Sequence, residues 1–466
     1  AARRALSLKI PIVAIKTGRT PAAAKIALSH ISSLTGADSL FDALFTRLGI
    51  ARVNTVPEFL ETLKLLSLLG PLAHKNIASM SCSGGEAGMM ADLIEGREIV
   101  FGGITPAQKK VTLATFSNGE QVDNPLDYQT YIWHKRDQMA ATFRAHMAAN
   151  FSATVLILDW PNNHGANPDE WDTALQALAD ASQADQHKAI VLATMAECMP
   201  PHAIDACIAH GMAPMIGMDA CLTALNHAYT IGQAFNAPAP AALSIRHISP
   251  ALTTEMPPLT EAQSKYSLSQ HGLSIPEGET TKSLAQVVKV ATQLGYPVTL
   301  KAVDAGLAHK TELGGVKLNL KNQTQVEHAA HSLFAISQTL LVEKMVQDTV
   351  LELIIGINTD PLFGQYLVLG AGGIWVEVLK DAQSVLLPAS KNDIMQALDR
   401  LKCAPLLKGY RGQVPADMEA IVDAVIAVLD YSHKHPVYEL DINPLLTLKK
   451  GAIAVDALIQ LGQSSL

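Results

Sequence analysis

The sequence predicts an α/β protein: parallel sheets layered with helices in the N-terminal half, then a linker, then an α+β domain shaped for a nucleotide. Three observations predict it. Continuous apolar runs of strand length alternate with helical stretches as far as residue 236. A proline-rich break follows, over residues 237–258. Beyond it, short strands crowd together with glycine loops. Strands buried on both faces read as unbroken apolar runs, and helical crossovers between them make their pairing parallel.

In chain order, AARRALSL opens as a helix-like run, and residues 10–18 (IPIVAIKTG) read as a buried strand ending in glycine. KNIASMS (75–81) is a second strand, and SGGEAGMMADLIE starts a helix directly after it. FSATVLILDW is a third strand, followed by a helix from Pro168 to Ala181. HKAIVLATM and MAPMIGM complete a set of five. NAPAPAAL and SPALTTEMPP break both periodicities, as linkers do. Helices then span 260–271 and 282–295, and PVTLKAV, VKLNL, TLLVEKM, LELIIGI and QYLVLGAG read as strands. Two more helices precede YELDIN and IAVDALI. The expected domains are 1–72, 73–236 and 259–466, with 237–258 as linker.

Composition narrows the function. The chain has 466 residues, 48% hydrophobic and 17% charged, with a formal net charge of −8. Basic residues cluster nowhere, which argues against a nucleic-acid partner. No apolar run reaches the ~18 residues of a membrane helix. The cysteines (Cys82, Cys198, Cys207, Cys221 and Cys403) are odd in number, widely spaced and form no CxxC. That argues against a disulfide framework or zinc site and favours a reducing cytoplasm. No signal peptide is visible, and the chain starts on Ala1, so its start is expected to be an internal point of a longer protein.

In the C-terminal half, Lys301 closes a strand, and His309–Gly315 forms a polar loop ending in Gly314-Gly315. A lysine beside a glycine loop supplies the point charge and backbone N–H donors that a triphosphate needs. Glu343 ends a strand where a carboxylate can accept from ribose or adenine. ELIIGINTDPLFGQYLVLGAGGIWVEVLKD places Glu352, Asp360, Gly370, Gly372, Gly373 and Glu377 on adjacent strands and turns. Asn443 and Asp456 are expected at the ends of neighbouring strands, as hard oxygen ligands suited to Mg²⁺.

The strings HKTELGGV, DPLFGQYLVLGAGG and ELDINPL make residues 259–466 resemble the ATP-grasp domain of NDP-forming acyl-CoA synthetases. The resemblance implies ATP contacts at Lys301, Glu343 and Glu352, and Mg²⁺ ligation by Asn443 and Asp456. Arg411, in LLKGYRG, matches a family position that meets phosphate; the alternative is a surface ion pair.

KTGRTPAAAKIALSHISSLTGADSLFDALFTRLG resembles the phosphohistidine segment of the same family. The usual run is Ser-His-Thr-Gly. Ser29-His30 is kept, and Ile31 and Ser32 replace the last two. Imidazole is nucleophilic near neutral pH, and its phosphoramidate can pass the group onward. The resemblance therefore makes His30 the phosphate carrier. SMSCSGGEAGMMAD is a strand, a glycine-rich turn and a helix start, so the N–H groups near Ser83, Gly84 and Gly85 form a ready anion site. It resembles one of the paired helix N-termini of the flavodoxin-type succinyl-CoA synthetase fold. The other, with a CoA-binding domain, is expected upstream of residue 1 or on a partner subunit. Glu86 either orients or deprotonates His30, or simply complements the helix dipole.

Trp133, Trp160 and Trp171 fall close together in a chain with only 5% aromatics, and Tyr128 and Tyr131 join them. Rings around a pocket can hold an onium group by cation–π attraction; ordinary core packing is the alternative. A cage at Trp133, Tyr128 and Tyr131 implies a cationic acid such as dimethylsulfoniopropionate, a betaine or carnitine. The chain is then similar to the ATP-dependent dimethylsulfoniopropionate lyase branch, with Glu170 the base that eliminates dimethyl sulfide to leave acryloyl-CoA. The expected function is an ADP-forming acyl-CoA synthetase using ATP, Mg²⁺ and CoA on a small carboxylate, as a homo-oligomer. The alternatives are a plain acetate, propionate or aryl-acid ligase, or a non-ligase acetyltransferase or CoA-sensing relative.

Overall fold

A computed structural model describes residues 1–20, 22–23, 37–115, 122–148, 150–161, 169–243, 257–303, 314–373 and 381–462. The chain forms two compact units. One gathers residues 1–23 and 44–240; the other gathers residues 241–466 and, ahead of them in sequence, Ala37–Ala43.

In the first unit, β1 (Ile12–Ile15) and β2 (Ile50–Val53) form a small parallel pair. The helix Val56–Leu68 starts at a capping box between Thr55 and Glu58. Such a box satisfies two of the donors that a helix start leaves open. This helix packs along Met218–Asn236, so the segment before residue 72 and the segment after it share one unit.

The main sheet contains β3 (Asn76–Ser81), β4 (Val100–Phe101), β5 (Leu126–Asp127), β6 (Thr154–Ile157), β7 (Ala189–Ala193) and β8 (Ala213–Ile216). Its order is β4-β3-β6-β7-β8, with β5 beside the end of β3, and every pairing is parallel. Every residue of β6 and β7 is buried. Ile77, Val155, Ile190 and Leu192 join one core, and Met80, Leu156, Val191 and Ala193 join the other. Successive side chains point to opposite faces, and both faces are covered. That is why these strands read as unbroken apolar runs.

In the second unit, β9 (Gly278–Thr281), β10 (Val298–Ala302), β11 (Val316–Leu320) and β12 (Leu340–Lys344) form an antiparallel sheet in the order β11-β10-β12-β9. The helices Leu284–Leu294 and Gln323–Phe334 bury their apolar stripes against it. A larger antiparallel sheet runs β15-β14-β13-β16-β17, with β18 also on β16. Its strands are β13 (Thr349–Asp360), β14 (Gly364–Ala371), β15 (Ala382–Leu386), β16 (Val437–Leu448), β17 (Ala452–Ala454) and β18 (Leu458–Leu461). The helices Lys391–Asp399 and Met418–Lys434 cover its apolar face, and Leu268 of the helix Glu261–Ser269 joins the same core. Between Asn236 and Glu261 no helix or strand is assigned among the described residues.

Two local expectations are corrected. The first strand covers Ile12–Ile15, not the whole of 10–18. Asn443 lies inside β16, where pairing with β13 shifts register, and Asp456 lies between β17 and β18. The strand continues through Asn443 because Leu445, Leu446 and Thr447 pair again on both sides.

Among the described glycines of the first unit, Gly232 lies closest to another stretch of backbone. A methyl group there would sit 2.1 Å from the Leu72 carbonyl oxygen. Gly232→Ala is therefore expected to cost about 1–3 kcal/mol, read as a lower urea midpoint at unchanged slope. A wild-type midpoint would show that the helix and the Leu72 turn are not held at this spacing.

Candidate active site

On the larger sheet of the second unit, alternation separates a core face from a polar face. Leu353, Ile355 and Ile357 of β13 and Leu440 and Ile442 of β16 are buried in the core. Glu352 and Gly356, like Glu439, Asp441 and Asn443, fall on the opposite parity. Gly356 pairs with Asp441 across the strands. At the end of β14, Gly372 N donates to Glu352 O at 2.7 Å, and Gly373 N donates to Asn443 Oδ1 at 3.2 Å. Gly373 has φ +61, and a Cβ there would fall 1.9 Å from Glu352 Oε2. Glycine is required on both counts. The structure thus brings Glu352, Gly373 and Asn443 together.

Asp441 adds a functional candidate that the sequence reading missed. Burial, reinforced by Glu439 and Asp456, pushes its carboxyl up to about 6. Among the described residues no three His, Cys, Asp or Glu side chains form a metal cage. Mg²⁺ seldom uses one: it takes one or two protein oxygens and fills the rest with water and phosphate. The oxygen donors Asn443 and Asp456 fit that chemistry.

Lys301 and Glu343 are more deeply placed than the sequence suggested. They are 6% and 3% exposed, and Lys301 Nζ lies 3.1 Å from Glu343 Oε2. Two further residues, Glu261 and Lys265, complete a buried quartet of charges. Burial pulls the Lys301 ammonium down, but Glu261, Glu343 and Asp456 together hold it above the usual lysine range. Glu261 and Lys265 are one helical turn apart on the face that carries Leu268. A charged pair on a buried stripe was the available sequence signal. Arg411 is exposed, with φ +50, and its guanidinium stacks over Tyr410 at 5.2 Å. Glu377 and residues 309–313 of the expected His309–Gly315 loop lie outside the described residues.

In the first unit, β3 and β6 are neighbours, but their connections lead in opposite directions, to β4 and to β7. A crevice opens where connections diverge in this way, at the carboxyl ends of the strands. The helix Gly84–Leu93 begins there, with Ser83 as N-cap and no side-chain cap bond. Ser81 Oγ donates to Ser83 O at 2.8 Å and fixes the turn. Uncapped first-turn N–H groups suit an anion. Gly84 lies close against Asp127, whose Oδ2 would stand 3.0 Å from a Cβ at that position. Asp159, anchored by Thr194 N at 2.7 Å and Thr194 Oγ1 at 2.6 Å, closes the other side. Burial first, then Asp159 and Asp127, push the Glu86 carboxyl up to about 7. Its Oε2 is buried without a partner among the described residues. His30 lies outside the described residues.

The aromatic group divides in two. Trp133 Nε1 donates to Glu170 Oε2 at 3.4 Å, and the Trp133 and Trp171 rings meet edge-on at 5.6 Å. His134 Nδ1 lies 3.7 Å from the same carboxylate oxygen. Tyr128 does not belong to this group. It is fully buried in the core, edge-on to Phe143, with its hydroxyl beside the Cys82 thiol. Tyr131 is 51% exposed. Trp160 is buried and donates to Asp172 at 2.9 Å. Proximity in sequence gathered five rings, and only two of them, Trp133 and Trp171, stand together beside Glu170.

A carboxyl raised on folding contributes most stability below its unfolded value, and that contribution is lost as pH rises through the folded value. Glu86→Gln stays neutral throughout. Its melting temperature is therefore expected to gain on the wild type as pH goes from about 5 to about 8. A pH-independent difference in thermal melts would contradict the raised value at Glu86.

Two family models match the chain. An ATP-grasp domain model matches residues 251–461, and a succinyl-CoA ligase-like flavodoxin domain model matches residues 1–66. The chain is 32% identical over 221 residues to the beta subunit of acetate–CoA ligase [ADP-forming] I of Pyrococcus furiosus; the match covers 46% of this chain and 95% of that subunit. It is 27% identical over 464 residues to the 4-hydroxybutyrate–CoA ligase [ADP-forming] of Nitrosopumilus maritimus, covering 95% of this chain and 65% of that protein. The chain thus spans less than two thirds of this relative's length. A solved structure of acetyl-coenzyme A synthetase 1 from Ca. Korarchaeum cryptofilum, in complex with coenzyme A and Mg-AMPPCP, is 34% identical. It covers 44% of this chain and 93% of that one, at a TM-score of 0.40.

Proposed function

This chain belongs to the ADP-forming acyl-CoA ligase family, and from that premise we propose that it joins a small carboxylic acid to CoA at the expense of ATP, through phosphate carried on His30. The observation that supports this reading most is the pairing of two phosphate-suited sites in one chain. One is the Glu352, Gly373 and Asn443 constellation in the second unit. The other is the uncapped helix start at Ser83–Gly85 in the first.

In this reading ATP binds the polar face of the larger sheet. Glu343 accepts from the ribose or adenine, and Lys301 and Arg411 meet phosphate. Asn443 and Asp456 would hold Mg²⁺, which when bound neutralises phosphate charge and fixes the transferred group. His30 Nε2 or Nδ1 attacks the γ-phosphorus, the bond to the β-phosphate oxygen breaks, and ADP leaves. Seven residues beyond His30, Ala37 N donates to Asp360 Oδ2 at 3.5 Å, and Phe41 packs edge-on against Phe363 at 5.1 Å. The chain just after His30 thus groups with the nucleotide-suited unit, which supports an ATP-derived phosphoryl group. The phosphoryl group then meets the helix N-terminus at Ser83, Gly84 and Gly85. The substrate carboxylate attacks phosphorus there, the P–N bond breaks, and the CoA thiolate displaces phosphate from the acyl phosphate. Glu86, with a carboxyl near neutrality, holds or takes the proton of the His30 ring.

A second reading concerns the acid, and it rests on the Trp133–Glu170 contact beside Trp171. Two indole faces with one carboxylate suit an onium group, and dimethylsulfoniopropionate would place its α-hydrogen near a base. Glu170 would remove that hydrogen from the thioester, the C–S bond would break, and dimethyl sulfide and acryloyl-CoA would form. The relatives named above act on acetate and 4-hydroxybutyrate, so an uncharged short acid is the other substrate class.

With ATP, Mg²⁺, CoA and an acid panel, wild-type protein is expected to release ADP in step with thioester, and His30→Ala to release none. AMP as product, or ADP release unaffected by His30→Ala, would sink the ligase reading. With dimethylsulfoniopropionate, headspace analysis is expected to find dimethyl sulfide, reduced about 10²–10⁴-fold in Glu170→Gln with ADP release retained. Ligation of acetate or propionate without any dimethyl sulfide would remove the elimination step alone.

A further inference from the structure

The buried quartet has an unusual redundancy. Lys301 Nζ reaches Glu261 Oε1 at 2.7 Å, Glu343 Oε2 at 3.1 Å and Val455 O at 2.5 Å. Lys265 Nζ reaches Glu261 Oε1 at 2.7 Å, Glu343 Oε1 at 2.5 Å and Val455 O at 3.1 Å. The two ammonium groups touch the same three partners. Lys265 gives one of its three N–H donors to each partner, while Lys301 hydrogen-bonds Glu261 and the Val455 carbonyl and stands in ion-pair contact with Glu343. All four side chains are nearly dry. An arrangement with one lysine per carboxylate would satisfy the charges as well; here each lysine contacts both.

A lysine that binds nucleotide phosphate must give up at least one of these partners. A buried carboxylate left without a cation is strongly unfavourable. With Lys265 in place, no group is orphaned when Lys301 turns away. Glu261, Glu343 and the Val455 carbonyl each keep a bond to the second ammonium. The scaffolds differ in a way that fits this division. Lys301 sits one residue from the end of β10, while Lys265 sits within a helix whose Leu268 is fixed in the core of the larger sheet.

We infer that Lys265 is a positioning residue that holds Glu261, Glu343 and the Val455 carbonyl when Lys301 exchanges those partners for nucleotide phosphate. This rests on the reading of Lys301 as a nucleotide contact. Lys265 itself touches no substrate. Glu261 is the competitor that the nucleotide must displace, and Lys265 lowers the cost of displacing it.

Opposite signs follow for two substitutions within one cluster. Glu261→Gln removes one competing carboxylate and is expected to tighten Mg-AMPPCP binding at least threefold. Lys265→Met leaves both carboxylates to Lys301 and is expected to weaken binding at least tenfold, with the KM for acid and CoA unchanged. Titration with Mg-AMPPCP reads binding directly, without turnover, so it remains informative if the wild type makes no thioester. In that case the ligase reading fails and the exchange is still decided. Glu261→Gln is also measured in a Lys301→Met background. Its gain is expected to vanish there, because the effect passes through Lys301. A gain that persists would mean a general field effect and would overturn the exchange. Weaker binding in Glu261→Gln would overturn it as well, whatever Lys265→Met does, including failure to fold. Lys265→Arg, which keeps the charge, is expected to retain at least part of the affinity lost in Lys265→Met.

Discussion

The second unit depends on two lysines and two glutamates that share one dry site. Removing charges from water is costly, and mutual attraction offsets that cost only when every donor and acceptor is matched. Here two ammonium groups face two carboxylates; Lys265 hydrogen-bonds Glu261, Glu343 and Val455 O, and Lys301 hydrogen-bonds Glu261 and Val455 O and pairs with Glu343. The partners come from three places: the helix Glu261–Ser269, the smaller sheet with Lys301 and Glu343, and the turn between β17 and β18 that carries Val455. Moving the smaller sheet against that helix would part Lys265 from Glu343 and Lys301 from Glu261, and moving the larger one would withdraw the Val455 carbonyl. The quartet therefore fixes the geometry on which the polar face of the larger sheet relies.

Both candidate sites use the same local device. A strand ends in a glycine turn, and a carboxylate lies close against the glycine. Gly373 against Glu352 does this in the second unit, and Gly84 against Asp127 does it in the first. At Gly372 and Gly373 the N–H groups donate to Glu352 O and Asn443 Oδ1, whereas the helix start at Ser83 has no side-chain cap and leaves its amide dipoles to an anion. The two sites belong to separate units. Under the proposed function, a carrier such as His30 would serve these two sites in turn.

Much of this was legible in the chain. β6 and β7 announced themselves because both of their faces are covered, so every position had to be apolar. The turn at Ser83–Gly85 was readable because a strand, two glycines and a helix start are local features. Glu261 and Lys265 were not read, since a Glu and a Lys four residues apart look like an ordinary solvated pair until the third and fourth charges arrive from β10 and β12. The position of Asn443 was missed for a similar reason: the register shift that sets it belongs to its pairing with β13, not to its own segment. Tyr128 was assigned to the ring cage by nearness in sequence. Its backbone follows β5 into the core, whereas Trp133 lies beyond the turn at Thr130 and meets Glu170.

The claim most exposed to test is that phosphate passes through His30. Wild-type protein incubated with [γ-³²P]ATP and Mg²⁺, then digested and mapped, should carry one acid-labile, base-stable label on the peptide containing His30, and adding acid substrate with CoA should discharge it. Thioester formation with no label on that peptide at any time would contradict the account.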